Sequence, residues 1–325
     1  MLSTLILASL LAPPKEILLV LNKAEDTVSF HDTETNEVIK TIPTGHGPNE
    51  VMVSPGGTWA TISNMGSGQK RDRTITVLSM PSGDVARTIN FPEHQRPHGM
   101  AWVDKNRFVV TTHEPEALHM VDASNGKIEF TIPCPSRGLH MVVLSPDKKM
   151  AYGACAFGNQ MAAFDLEKKE LVKLVDCGAR AEGIAISPDG KTITIGNVGE
   201  ETVTVIDAKT YEVKRTLTGC PAPIRTFFSP DGKKAVVSAA GADSLVAFDT
   251  STWKESQRVT LAGVESSAYS GNRIPMNFAH SADGKTFFVV FVQANRVAQF
   301  RWNDLGFVKS FKTGQTPDGI AVWGG

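Results

Sequence analysis

The sequence predicts an all-β chain folded as a seven-bladed β-propeller, with four antiparallel strands per blade and the ring closed by the C-terminal strand joining the N-terminal blade. Three observations predict it: a turn motif with a 42-residue period, four short β-rich runs within each period, and chain ends that complement each other. A period of that length, held across 325 residues, marks a repeat architecture.

The motif is SPGG at 54, SPDK at 145, SPDG at 187 and 229, and SADG at 281; aligning the strands that precede it adds Val103 and Trp323. The intervals are 49, 42, 42, 42, 52 and 42 residues, a constant period with two insertions. Residues 1–12, MLSTLILASLLA, are apolar, too short to span a bilayer and followed by two prolines. They read as an export signal, which implies a periplasmic or secreted protein, or as an N-terminal arm, and residues 13–325 read as one propeller domain.

The elements follow in order. EILLVLN, TVSFHD and EVIKTIP have the pattern of strands two, three and four, and the missing first strand of that blade is DGIAVWG at the C-terminus. In 183–219 the runs GIAIS, TITIG, TVTVID and EVKRTLT are parted by the turn clusters PDGK, NVGEE and AKTY, which gives four strands joined by hairpins. First strands centred at 50, 99, 141, 183, 225, 277 and 319 count seven blades. No segment keeps a helical period, which excludes a helical solenoid. In this topology the interblade loops and the loops between strands two and three share one rim, the top. Both insertions, GSGQKRDR (66–73) and GVESSAYSGNRI (263–274), map there, and Lys70, Arg71, Arg73 and Arg273 are expected to add positive charge.

A net charge of −1 offers no global field for nucleic acid or an anionic membrane, and no stretch has the length of a transmembrane helix. The four cysteines form no CxxC, which argues against a thiolate metal site. Cys134, Cys177 and Cys220 end the outer strands of consecutive blades; buried free thiols are the default reading, and Cys134 with Cys177 is the candidate pair for a disulfide in an oxidising compartment. There is no GxSxG, P-loop or GxGxxG, and HEPEALH (113–119) spaces its histidines six apart around a proline, which no zinc-protease helix does.

Five residues before the motif serine, or its equivalent, stand Asn49, His98, His140, Glu182, Ile224, Met276 and Asp318, one per blade around the mouth of the channel. Five are polar and two apolar, the division expected of a ligand pocket. His98, His140 and Glu182 on adjacent blades match the two-histidine, one-carboxylate set of catalytic metal sites, so one divalent metal ion is the candidate cofactor. Without a metal, His98 or His140 is placed to act as a general base. Arg96, Arg137, Arg180 and Arg225 gather at the same rim, with Asn49, His46, Asn277 and Asp318 as further substrate-binding candidates. Crowded arginines imply either acidic partners, Glu182, Glu50 or Asp318, or an anionic ligand. His94 and His113 also map to the top, whereas His119 and His280 fall where core packing is expected.

The run GIAISPDGKTITIGNVGEETVTVIDAKTYEV (183–213) resembles the YVTN family of seven-bladed propellers, and the resemblance extends over roughly residues 16–325. Propellers of this kind include surface-layer proteins, lactonase-like enzymes, subunits of amine dehydrogenases and proteins that handle modified haems. The expected function is therefore an exported enzyme with a metal-assisted His98/His140/Glu182 site acting on an anionic small molecule, by lactonase-like hydrolysis or lyase-type elimination. The alternative is a non-catalytic propeller that uses the same Arg- and His-rich rim to bind a ligand, a cofactor or a protein partner.

Overall fold

Each repeat folds as a four-stranded antiparallel sheet because its polar motif residues close the turns and its β-branched runs are buried on both faces. The structure, a computed structural model, describes residues 16–92, 94–261 and 273–324. Residues 1–12 and residues 263–272 of the second insertion, both singled out in the sequence, lie outside the described residues.

The described residues form seven sheets of four strands, and in six of them the four strands are consecutive in sequence. Blades one to six open with the inner strands Pro48–Val53, Arg96–Trp102, Leu139–Leu144, Ala181–Ile186, Pro223–Phe228 and Pro275–His280. Blade seven is built from both ends of the chain. Its inner strand Pro317–Gly324 pairs antiparallel with Glu16–Asn22, which continues into Thr27–Asp32 and Val38–Pro43. Closure leaves no blade without neighbours on both sides.

The repeated motif has a mechanical role in the first turn of a blade. Ser145, Ser187, Ser229 and Ser281 donate Oγ to Asp147, Asp189, Asp231 and Asp283. The same hydroxyls accept the N–H groups of Met150, Thr192, Lys234 and Thr286 at 3.0 Å, which pins the start of the second strand. Second strands are buried on both faces. Leu18 and Val20 pack toward Phe288 and Val290 of blade six, while Leu19 and Leu21 pack toward Val51 and Ile62 of blade one. Similar apolar seams lie between the other neighbouring blades, for example Ile75 and Val77 against Phe108 and Val110.

The inner strands shift register where the ring residues stand, between Pro48 and Glu50, Pro97 and Met100, Leu139 and Val142, Ala181 and Ile184, Pro223 and Arg225, and Pro275 and Phe278. A bulge leaves an unpaired residue and re-aims its side chain, which is how the same slot of six blades turns toward the channel.

Three sequence expectations are corrected. Arg273 does not charge the upper surface: it is buried and paired with Asp243 at 3.1 Å. Arg71 is paired with Glu114 on the next blade. Cys134 meets Cys155, with Sγ atoms 3.9 Å apart, rather than Cys177, while all four cysteines are free thiols, the default reading of the sequence. The end of an outer strand lies beside the second strand of the next blade, not beside that blade's own outer end.

Candidate functional site

The channel mouth is lined by side chains that hydrogen-bond from blade to blade. Glu182 Oε1 accepts from His140 Nε2 at 2.8 Å. The His140 ring packs on His98 with centroids 3.7 Å apart and a tilt of 33°. His98 Nε2 lies 2.8 Å from Asn49 Nδ2, and Asn49 Oδ1 accepts from Lys23 Nζ. Lys23 also pairs with Asp318 Oδ2 at 2.8 Å, and Asp318 Oδ1 accepts from Asn277 Nδ2 at 3.0 Å. Arg225 completes the chain, donating Nε to Asn277 Oδ1 at 2.8 Å and a terminal N–H to Glu50 Oε1 at 3.0 Å.

Hydrogen-bond bookkeeping assigns the orientations. Lys23 has only donors, so the oxygen of Asn49 faces it and the amide nitrogen of Asn49 must donate to His98. His98 Nε2 is then the accepting nitrogen and the proton sits on Nδ1. That Nδ1 is buried and has no partner among the described residues, and the same holds for His113 Nε2. The His113 ring stacks parallel to His98 at 5.8 Å and lies 5.7 Å from His140, which makes a cluster of three imidazoles at this side of the mouth.

Electrostatics follow from burial and neighbours. Burial, then the nearby His140 and His113, hold His98 well below the ordinary histidine value. Burial and His140 lower His113 to about 4. Burial alone would raise Glu182, but the hydrogen bond and charge of His140, with Arg225 and Arg180, bring it down to about 2. Glu50 goes the other way: full burial, reinforced by Asp318, outweighs Arg225 and lifts it to about 7.

The sequence candidates divide. Asn49, His98, His140, Glu182, Asn277, Asp318 and Arg225 join one network. Arg225 is buried in it and paired with Glu50, and Arg180, exposed, stands 3.7 Å from Glu182, so both meet the acidic partners that the sequence offered. His46 sits on the rim bonded to Asp26, Arg96 donates to the Met65 carbonyl, and Arg137 is exposed. Ile224 and Met276 are half-buried, and their sequence neighbours Arg225 and Asn277 bring polar groups to that arc. His98 directs Nε2 to Asn49 while His140 directs Nε2 to Glu182, so these three side chains do not aim at a common point. Among the described residues no group of three or more His, Cys, Asp or Glu is arranged to hold a metal ion.

Lys23 and His113 are the site residues that sequence reading missed or left unassigned. Both occupy one repeat slot, opposite the residue two before the ring position: Lys23 pairs with Thr316 and His113 with Arg96. The other blades place Met65, Ala156, Val198, Ala240 and Val292 there. Two polar residues in an otherwise apolar slot are the signal that marks them.

Residues 168–270 match a family described as the YNCE-like beta-propeller. No curated protein gives a significant match. Among solved structures the chain is similar to a functionally unknown protein from Desulfotomaculum acetoxidans DSM 771. That likeness has a TM-score of 0.77 and 14% identity, and covers 94% of this chain and 98% of that one. Identity so low speaks for the fold alone. No helix of the described residues is long and apolar enough to cross a membrane. With seven four-stranded sheets closed through the two chain ends, the chain is a seven-bladed β-propeller, with a YNCE-like match over residues 168–270.

Proposed function

We propose that the upper channel mouth binds an anionic small molecule and moves a proton on it, with His140 as the acid–base group and Glu182 as the carboxylate that orients it. The observation that carries this reading is the 2.8 Å His140–Glu182 pair, partly exposed at the edge of a ring whose other polar members are buried. With Nε2 of His140 donating to Glu182, Nδ1 is the ring nitrogen left to exchange a proton with a ligand, the arrangement that general acid–base catalysis requires. Lys23, Arg137 and Arg180, all at least partly exposed, supply the positive rim for the anion. Removal of the proton α to a carboxylate, with departure of a β-alkoxide that takes up a proton, is elimination; removal of a proton from water as it adds to a lactone carbonyl, with cleavage of the ring C–O bond and protonation of the released alkoxide, is hydrolysis. An exported location fits either substrate class. A metal-assisted version requires His98, His140 and Glu182 to leave their present partners and converge on one ion.

A second reading, a non-catalytic binding module, is favoured by the ring itself. Asn49, Glu50, His98, Arg225, Asn277 and Asp318 are buried and bonded to one another, a rigid platform rather than a set of open reactive groups.

Turnover and calorimetric binding across a panel of anionic lactones and uronate esters test both. With a substrate found, His140→Gln is expected to lower kcat/KM by roughly 10²- to 10⁴-fold with binding largely kept. Unchanged turnover in that variant overturns the assignment of His140. Binding without turnover in the wild type supports the second reading. Activity that is lost on chelation and restored by a divalent ion supports the metal-assisted version.

A further inference from the structure

Below the polar ring the inner strands change character. Arg225, Glu50 and Asn277 form the upper end of a cavity of about 290 Å³ whose walls include Met52, Met100, Met141, Ile184, Phe227 and Phe278. The cavity shares Met52, Met100, Val142 and Val143 with a wider opening of about 750 Å³ on the lower side, bordered by Trp102, Trp323 and Lys148. The result is a shaft with the buried Arg225–Glu50 pair at its upper end, walls that are apolar apart from Thr226 and His280, and access from the face opposite the His140–Glu182 pair.

Three features narrow what such a shaft takes. Apolar cavities hold water poorly and bind apolar groups instead. Methionine walls adapt to a flexible chain better than β-branched ones do. At the upper end, Arg225 bonds Asn277, the Ile224 carbonyl and Glu50, which leaves two of its five N–H groups without a partner among the described residues. Burial pushes its partner Glu50 up to about 7, with Asp318 adding to the shift. A buried, incompletely paired arginine favours a second carboxylate.

We propose that the shaft is a binding site for a medium-chain carboxylic acid, with the carboxylate on Arg225 beside Asn277 and the alkyl chain running between Met141, Phe227 and Phe278 toward the lower opening. This site is separate from the proton-transfer pair above the ring and does not depend on that function.

Calorimetric titration of the full chain with octanoate, decanoate and dodecanoate tests it. The expected result is one site per chain, with affinity rising roughly fourfold for each added methylene. Decanol and decyltrimethylammonium are expected to bind at least about tenfold more weakly than decanoate, because they cannot make the charged hydrogen bond to Arg225. Val143→Trp, which fills the shaft from its wall, is expected to abolish decanoate binding, and Glu212→Gln, in an exposed turn between outer strands, to leave it unchanged. The headgroup comparison needs no variant, so it decides even where Val143→Trp fails to fold. Absence of saturable decanoate binding overturns the proposal, as does decanol binding as tightly as decanoate, or a folded Val143→Trp with wild-type affinity.

Discussion

Glu50 shows how burial and pairing compete at a single side chain. It is fully enclosed and holds a 3.0 Å bond from Arg225, yet desolvation wins and its carboxyl titrates near 7 rather than at the ordinary 4.5. The sign for stability follows: the folded chain keeps a proton that the unfolded chain has already released, so Glu50 subtracts stability as pH rises from about 4.5 to about 7. Glu50→Gln mimics the protonated form. It is expected to match the wild type in urea midpoint near pH 5 and to exceed it above pH 7. A variant less stable than the wild type above pH 7 would mean that the pairing with Arg225 dominates instead. His140 and Glu182 illustrate the opposite outcome, in which a partner of opposite charge outweighs burial and the carboxylate stays ionised.

At the scale of strands, the inner seven are drawn together until backbone meets backbone. A Cβ on Gly183 would lie 2.3 Å from the Ile224 carbonyl oxygen, and one on Gly99 would lie 2.6 Å from that of His140. Glycine at these slots lets the bulges approach one another, and the closeness is what allows His98 and His140 to stack. Gly183→Ala is therefore expected to cost about 1–3 kcal/mol, because the atoms it meets are backbone and cannot turn away. Gly68→Ala, whose Cβ would meet nothing within 4 Å, serves as the control and is expected to be near neutral. Equal midpoints for the two variants in chemical denaturation would show that the inner strands can spread apart.

Across the whole molecule, buried imidazoles set the response to acid. Burial lowers His31, His113, His119 and His280 to about 4, and holds His98 well below its ordinary value. These groups are neutral in the fold and take up protons on unfolding below their ordinary 6.5, so stability falls as pH drops from about 6.5 toward 4. Glu50, which releases a proton on unfolding in part of that range, offsets about one of the five. A net uptake of about four protons on unfolding near pH 5 is expected, measurable from the pH dependence of the unfolding midpoint. A stability curve that is flat between pH 6.5 and 5 would contradict this burial. His119 also shows that a buried histidine need not be a site: it bridges Thr112 and Thr131 within one blade at 2.9 Å on each side.

The sequence by itself determined the blade count, the strand order, the closure through both chain ends and the ring slot that holds His98, His140 and Glu182. These are one-dimensional properties: a constant period carries the position of every strand, and a residue's place in the repeat carries its height along the channel. Only the tertiary structure decided who touches whom. His113 reaches the ring from the end of a second strand, and Lys23 from the turn just after one. The turn of Arg225 toward Glu50, the stack of His98 on His140 and the meeting of Cys134 with Cys155 depend on how far each bulge re-aims its side chain. They depend also on how closely neighbouring blades pack. Periodicity is blind to both, because the repeat records what each blade shares, whereas a site is made from what the blades do not share.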